Sequence, residues 1–201
     1  MIDKIHCSAK IGNDIHKELV AMFQAIQSGW KFPMHITEEE YNKVKNNKTL
    51  FPNYYVGLVG FNATFGSKYF GGYARGYKED KKTPRDIPNE ALRNLLTQVP
   101  NLKDIKFVCS NYINNEYNEL KNAVIYCDPP YQGTTKYNTS AFDYDKFWNW
   151  CRKMSENNFV YISEYNAPDD FKCIWQKVVT TSLKIDKHEN RTEKLFVFVP
   201  N

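Results

Sequence analysis

The 201-residue sequence lacks any stretch able to cross a bilayer. Its uninterrupted apolar runs are short, residues 195–199 being five long, against about 20 needed for a membrane helix. The opening Met1-Ile2-Asp3-Lys4 lacks the basic-then-apolar pattern of a secretory signal. No C-x-x-C pair occurs among Cys7, Cys109, Cys127, Cys151 and Cys173, so zinc-site spacing is absent. An odd number of widely spaced cysteines reads as buried thiols in a reducing compartment, and the expected location is the cytoplasm. Neither sign of charge dominates: 27 Lys and Arg against 23 Asp and Glu leave +4, which permits nucleic acid as a partner without demanding it. The four histidines (His6, His16, His35, His188) are scattered, and none pairs with a nucleophile. Walker loops, G-x-G-x-x-G, H-E-x-x-H and G-x-S-x-G are all missing.

What the chain does have is aromatic mass. Fourteen Tyr, 13 Phe and 4 Trp exclude a disordered chain and supply a core. Residues 10–15 read as the end of a short strand. A helix follows, carrying Ile15, Leu19, Val20, Met22, Phe23 and Ile26 on one face, capped by Asn13 or Asp14 and ended by Gly29. A second helix starts at Thr37, with Glu40 completing a capping box. Residues 53–78 hold six of the nine glycines among eight aromatics, which predicts turns, loops and short helical pieces. Lys68, Arg75, Lys78, Lys81, Lys82 and Arg85 interleave or follow, suiting a surface that meets phosphates.

Regular alternation resumes beyond Pro88. The pattern predicts helices over 90–98 and 143–157, strands over 106–109 and 159–163, and a buried strand over 122–127. Extended runs over 173–185 and 193–199, joined by a polar turn at 186–192, predict a closing hairpin. Strands alternating with helices imply a mainly parallel sheet with helices on both faces. Cys109 and Cys127, at or beside strands, read as core filler.

The sharpest local signal is Asp128-Pro129-Pro130-Tyr131, directly after the 122–127 strand. Ligands of open parallel sheets bind outside the carboxyl ends of strands. Two prolines stiffen the backbone and remove two N–H donors, which leaves their carbonyls with few local partners. Asp128 adds a carboxylate acceptor and Tyr131 an aromatic face. The set suits a flat group bearing an exocyclic amine.

In these residues the chain resembles the Dam-type (D12 class) DNA adenine-N6 methyltransferases. Asp128, Pro129, Pro130 and Tyr131 match that family's catalytic motif. The run Phe107-Val108-Cys109-Ser110-Asn111-Tyr112 is similar to the strand that lines the methyl donor's adenine, with Asn111 where the family usually has Asp. Gly12-Asn13-Asp14-Ile15 is similar to the segment whose acidic residue binds the donor's ribose; on the residues alone, Asp14 serves equally as a helix cap. The family's F-x-G-x-G donor loop is not found upstream of Asp14, where Gly12 is the one glycine, so the catalytic core is expected to be N-terminally incomplete.

The resemblance implies an α/β, Rossmann-like S-adenosylmethionine-dependent methyltransferase sheet. It would have helices on both faces, a terminal antiparallel hairpin and an inserted target-recognition region. The core would comprise residues 1–30 and 100–201, and the insertion 31–99, carrying the six basic residues named above. The implied activity is methyl transfer from S-adenosylmethionine to the N6 amine of adenine in double-stranded DNA, without a metal and without a membrane partner. The alternative is a catalytically inactive DNA-binding remnant or fragment that lacks the donor loop.

Overall fold

The structure is a computed structural model that describes residues 2–78, 80, 82–132, 142–184 and 187–200. Its elements run β1 (Lys10–Asp14), α1 (Lys17–Gln27), α2 (Glu38–Asn46), α3 (Asn53–Asn62), β2 (Gly76–Tyr77), β3 (Pro84–Arg85), α4 (Ile87–Gln98), β4 (Ile105–Cys109), α5 (Asn115–Asn118), β5 (Val124–Cys127), α6 (Tyr144–Ser155), β6 (Phe159–Glu164), β7 (Phe171–Lys184) and β8 (Lys187–Phe198). The protein is mixed α/β and divides into two units, residues 1–112 and 113–201. In place of one sheet, the described strands form a parallel pair β1-β4, a ribbon β2-β3 and a four-stranded sheet β5-β6-β8-β7.

In the first unit, α1 lies on the parallel pair. Phe23 stacks flat on Phe107 with ring centroids 4.8 Å apart, and Gln27 Nε2 donates to the Leu102 and Ile105 carbonyls. The core gathers Met22, Ile26, Ile36, Tyr41, Val44, Leu58, Val59 and Leu92. Gly29, at φ +88°, follows α1 in the left-handed region where a side chain is strained. The stretch 53–78 opens with α3, a regular ten-residue helix where loops and short helical pieces were expected. Val56 to Gly60 are all buried, so α3 is apolar on every side and carries no amphipathic period to read. Its glycines serve packing: a Cβ at Gly57 would fall 2.1 Å from the Glu18 carbonyl oxygen of α1.

Thr37 caps α2 as expected, its Oγ1 accepting from the Glu40 N–H at 3.1 Å. The other half of the box does not form, because the Glu40 carboxylate takes the Tyr55 hydroxyl of α3 instead. Burial and that carboxylate together push the Tyr55 hydroxyl well above its ordinary range.

In the second unit, β5 pairs parallel with β6, β8 runs antiparallel to β6, and β7 closes the sheet antiparallel to β8. The closing hairpin is longer than expected, since β8 begins at Lys187 rather than 193. Asp143 caps α6 by accepting from the Lys146 N–H at 3.0 Å. Phe147, Trp148, Cys151 and Met154 form its inner face, against Val160, Ile162, Phe171 and Phe196 of the sheet. Arg152 grips Asp170 through two hydrogen bonds of 2.5 and 2.8 Å, which holds the Asp170 carboxyl below the usual carboxylate range.

Two expectations need correction here. The strand at 122–127 is not buried: Val124 is 71% exposed, as is Phe159 opposite it at 65%. An Ala-Val-Ile-Tyr run looks the same whether one face or both are covered. The cysteines are not uniformly buried thiols either. Cys7, Cys109 and Cys173 are exposed, Cys127 is half-buried, and only Cys151 lies in the core.

Gly57→Ala is expected to cost about 1–3 kcal/mol, because the added methyl must push α1 and α3 apart. A lower urea midpoint at unchanged slope would report it; an unchanged midpoint would contradict the close approach of these helices.

Candidate active site

Parallel pairing in exact step brings the ends of neighbouring strands level, and the chemistry-bearing residues of each unit follow such ends. In the first unit, Asp14 pairs with Cys109, so Asp14 and the Ser110-Asn111-Tyr112 run leave the sheet side by side. The Ser110 N–H donates to the Asp14 carbonyl at 3.1 Å, and Asn13 Nδ2 donates to the Ser110 carbonyl at 3.1 Å. Asp14 does not cap α1 directly. The helix starts two residues later than expected, and Asp14 Oδ1 accepts from the His16 N–H at 2.7 Å, fixing the carboxylate at the strand end. Asp14, Asn111 and Tyr112 are all half-buried.

In the second unit, Cys127 pairs with Ile162. The Asp128-Pro129-Pro130-Tyr131 corner therefore emerges beside Ser163, Glu164 and Tyr165. The Tyr131 hydroxyl lies 2.6 Å from Ser163 Oγ, and its ring meets Tyr165 edge to face at 4.6 Å. The Tyr131 hydroxyl holds the Asp128 carboxyl down somewhat, and Ser163 does the same for the Tyr126 hydroxyl. Glu164 is 1% exposed, and both its oxygens accept from the main chain: Gln132 N–H at 3.0 Å and Tyr165 N–H at 2.7 Å. The residue after the corner is thus tied to the neighbouring strand.

One expectation about the corner changes. The Pro130 carbonyl is not left for a ligand; the Tyr144 hydroxyl at the start of α6 donates to it at 2.6 Å. Pro129 is buried beneath the corner and Pro130 is half-buried.

The electrostatics favour a basic carboxylate. Desolvation raises the Asp128 carboxyl above its ordinary value although one side stays open to solvent; the Tyr131 hydrogen bond opposes this, and the Glu193 charge adds to it. Burial pushes the Tyr131 hydroxyl up to about 12, so it remains a protonated donor. Glu164 is raised too, chiefly by burial.

The basic residues expected to meet phosphate are exposed where described. Lys81 lies outside the described residues. Arg75 is ion-paired to Glu38, and Arg85 makes a fork with Glu90, with Nε at 2.8 and 2.9 Å from its two oxygens. Lys78 donates its main-chain N–H across the β2-β3 ribbon to Thr83, and Asp80 Oδ1 accepts from the Lys82 and Thr83 N–H groups in the turn between. Among the described residues, no three or more His, Cys, Asp or Glu are placed to hold a metal ion. No described helix is long and apolar enough to cross a membrane.

Ser163, Glu164, Tyr165, Tyr144 and Glu193 were not singled out from the sequence. The rule that ligands sit at strand ends could have pointed to the first three, since they lie at or just past the end of a predicted strand. Nothing local marks Tyr144 or Glu193.

Because the folded Asp128 carboxyl titrates above its unfolded value of 3.8, the protonated form is the one the fold favours. That contribution is complete below the unfolded value and is lost as pH rises through the raised one. Asp128→Asn is therefore expected to leave the unfolding free energy at neutral pH within about 0.5 kcal/mol or higher. Glu193→Gln is expected to lower the Asp128 titration midpoint, read by carboxyl carbon NMR. A midpoint unmoved by that change would remove Glu193 from the site.

The corner and the stretches around Asp14 and Asn111 are those whose resemblance was noted in the sequence. A model of the family described as D12 class N6 adenine-specific DNA methyltransferase matches residues 3–190. No curated protein matches the chain. The family match runs through both units and takes in the corner and the Asp14 and Asn111 stretches, while Glu193 lies beyond it; the chain belongs to the D12 class N6 adenine-specific DNA methyltransferases, and is a methyltransferase enzyme acting on DNA adenine.

Proposed function

We propose that the protein methylates the N6 amine of adenine in double-stranded DNA, in the cytoplasm, with Asp128, Pro129, Pro130 and Tyr131 as the catalytic corner. The observation that carries this reading is the braced corner: Asp128 follows a parallel strand and has a raised pKa, while Tyr131 is bonded to Ser163 and the Gln132 N–H to Glu164. Adenine's amine has its lone pair delocalised into the ring and is a poor nucleophile. A carboxylate accepting one N–H, with the Pro129 carbonyl accepting the other, turns that lone pair out of the ring plane. The raised pKa suits Asp128 to take the amine's proton as the new C–N bond forms. The base must leave the duplex stack to reach the corner, at a cost of a few kcal/mol, and the Tyr131 ring offers a surface for it to stack on. Catalysis of this kind is positioning and electrostatics.

Methyltransferases of this family use S-adenosylmethionine, which supplies an electrophilic sulfonium methyl when bound. The residues present fit its adenosine part. Asp14 is a half-buried carboxylate fixed at a strand end, suited to the ribose hydroxyls, and Asn111 and Tyr112 follow the paired strand at the same edge. Residues 31–99 would face DNA through Lys68, Arg75, Lys78, Lys81, Lys82 and Arg85. The Arg75 and Arg85 ion pairs are exposed, and such pairs are worth about 0–1 kcal/mol, so a phosphate can displace the glutamates.

The test is transfer of radiolabelled methyl to unmethylated duplex, followed by nucleoside digestion and chromatography. Label is expected in N6-methyladenine, and Asp128→Ala is expected to lower the rate about 10²–10⁴-fold. Tyr131→Ala is expected to weaken base capture by about 1–3 kcal/mol. Label in cytosine, or near-parental transfer by the Asp128 variant, would overturn the reading. Calorimetry with S-adenosylmethionine showing no binding, alongside retained duplex binding, would favour the inactive remnant.

A further inference from the structure

Beside the catalytic corner, within the second unit, lies an open groove of about 630 Å³ that none of the roles above uses. Gln132, the residue after the corner, forms one wall with Tyr165; the closing hairpin forms the other with Gln176, Arg191, Thr192 and Lys194. Arg191 sits over the Tyr165 ring at 5.7 Å, and that ring meets Tyr131. The groove thus begins one aromatic ring away from the residue on which the target base would stack.

Its chemistry is one-sided. Two cations, two amides, Thr192, Tyr165 and the aliphatic Val178 line it, and no described lining residue is acidic. The nearby carboxylates are accounted for. Glu164 has both oxygens bonded to main-chain N–H groups, and Glu193 is not among the lining residues and acts on Asp128. Lys194 makes no ion pair among the described residues. Cations and amides along a channel are what a nucleic-acid strand requires: charge for phosphates and polar edges for sugar and base.

We propose that this groove seats the DNA strand next to the extruded adenine, with Arg191 and Lys194 on its phosphates, so that the closing hairpin is a DNA-contacting element. The inference rests on the reading of the corner as the adenine site. It adds an element of the second unit to the basic region 68–85 of the first.

The test measures binding of a fluorescein-labelled duplex across a range of salt concentrations, for the full chain and its variants, with methyl transfer assayed in parallel. Arg191→Gln and Lys194→Gln are each expected to reduce the slope of log affinity against log salt by about 1, and together to weaken binding about tenfold. Arg191→Lys, which keeps the charge, is expected to keep the slope. Lys153→Gln, on the exposed side of α6, removes the same charge elsewhere and is expected to leave it unchanged. Circular dichroism checks that each variant is folded. If the double variant binds with parental slope and affinity while the parent methylates adenine, the groove is overturned and the activity stands. If Lys153→Gln weakens binding as much as the groove variants, net charge explains the effect and the groove is again overturned. If the groove variants lose DNA but the parent transfers no methyl, the DNA contact stands and the reading of the corner falls.

Discussion

The register between β5 and β6 governs the second unit's chemistry. Parallel strands paired residue for residue bring Asp128 to Tyr131 beside Ser163 to Tyr165 although more than thirty residues separate them in sequence. A slip of one residue would turn every side chain of β6 to the opposite face. Ser163 would then no longer meet Tyr131, and the buried Glu164 would lose the Gln132 N–H. The same device operates in the first unit, where Asp14 and Cys109 pair and the Ser110 N–H closes onto the Asp14 carbonyl.

Around the corner the structure sets charge against burial. Asp128, Glu164 and Glu193 share a small region, and each carboxylate that ionises there works against the others and against desolvation. The Tyr131 hydroxyl, itself bonded to Ser163, offsets some of that cost at Asp128. The result is a carboxylate that is held in place and is still a better proton acceptor than a solvated aspartate.

How much of this could be read in the sequence depends on how local each feature is. The face of α6, with its Asp143 cap and Phe147, Trp148, Cys151 and Met154, is written in helical spacing. The corner was legible because its four residues are consecutive and follow a strand. By contrast, α3 has no polar face, so its two glycines suggested a breaker where they are contact points against another helix and a pair of aromatic rings. Half of the Thr37 capping box failed because Glu40 had a better partner in Tyr55, fifteen residues away. Tyr144's bond to the Pro130 carbonyl and Glu193's charge near Asp128 are likewise products of tertiary placement. No window of sequence short enough to scan contains both partners.

The bond from Glu164 to the Gln132 N–H has a consequence for divergence. It recognises main chain, so it is indifferent to whichever side chain stands at position 132. Relatives could therefore exchange that side chain, and with it one wall of the adjoining channel, without loosening the turn that presents Asp128. Preference for flanking nucleotides could drift while the reacting geometry stays constant, a separation between variable reading and invariant chemistry built from a single carboxylate.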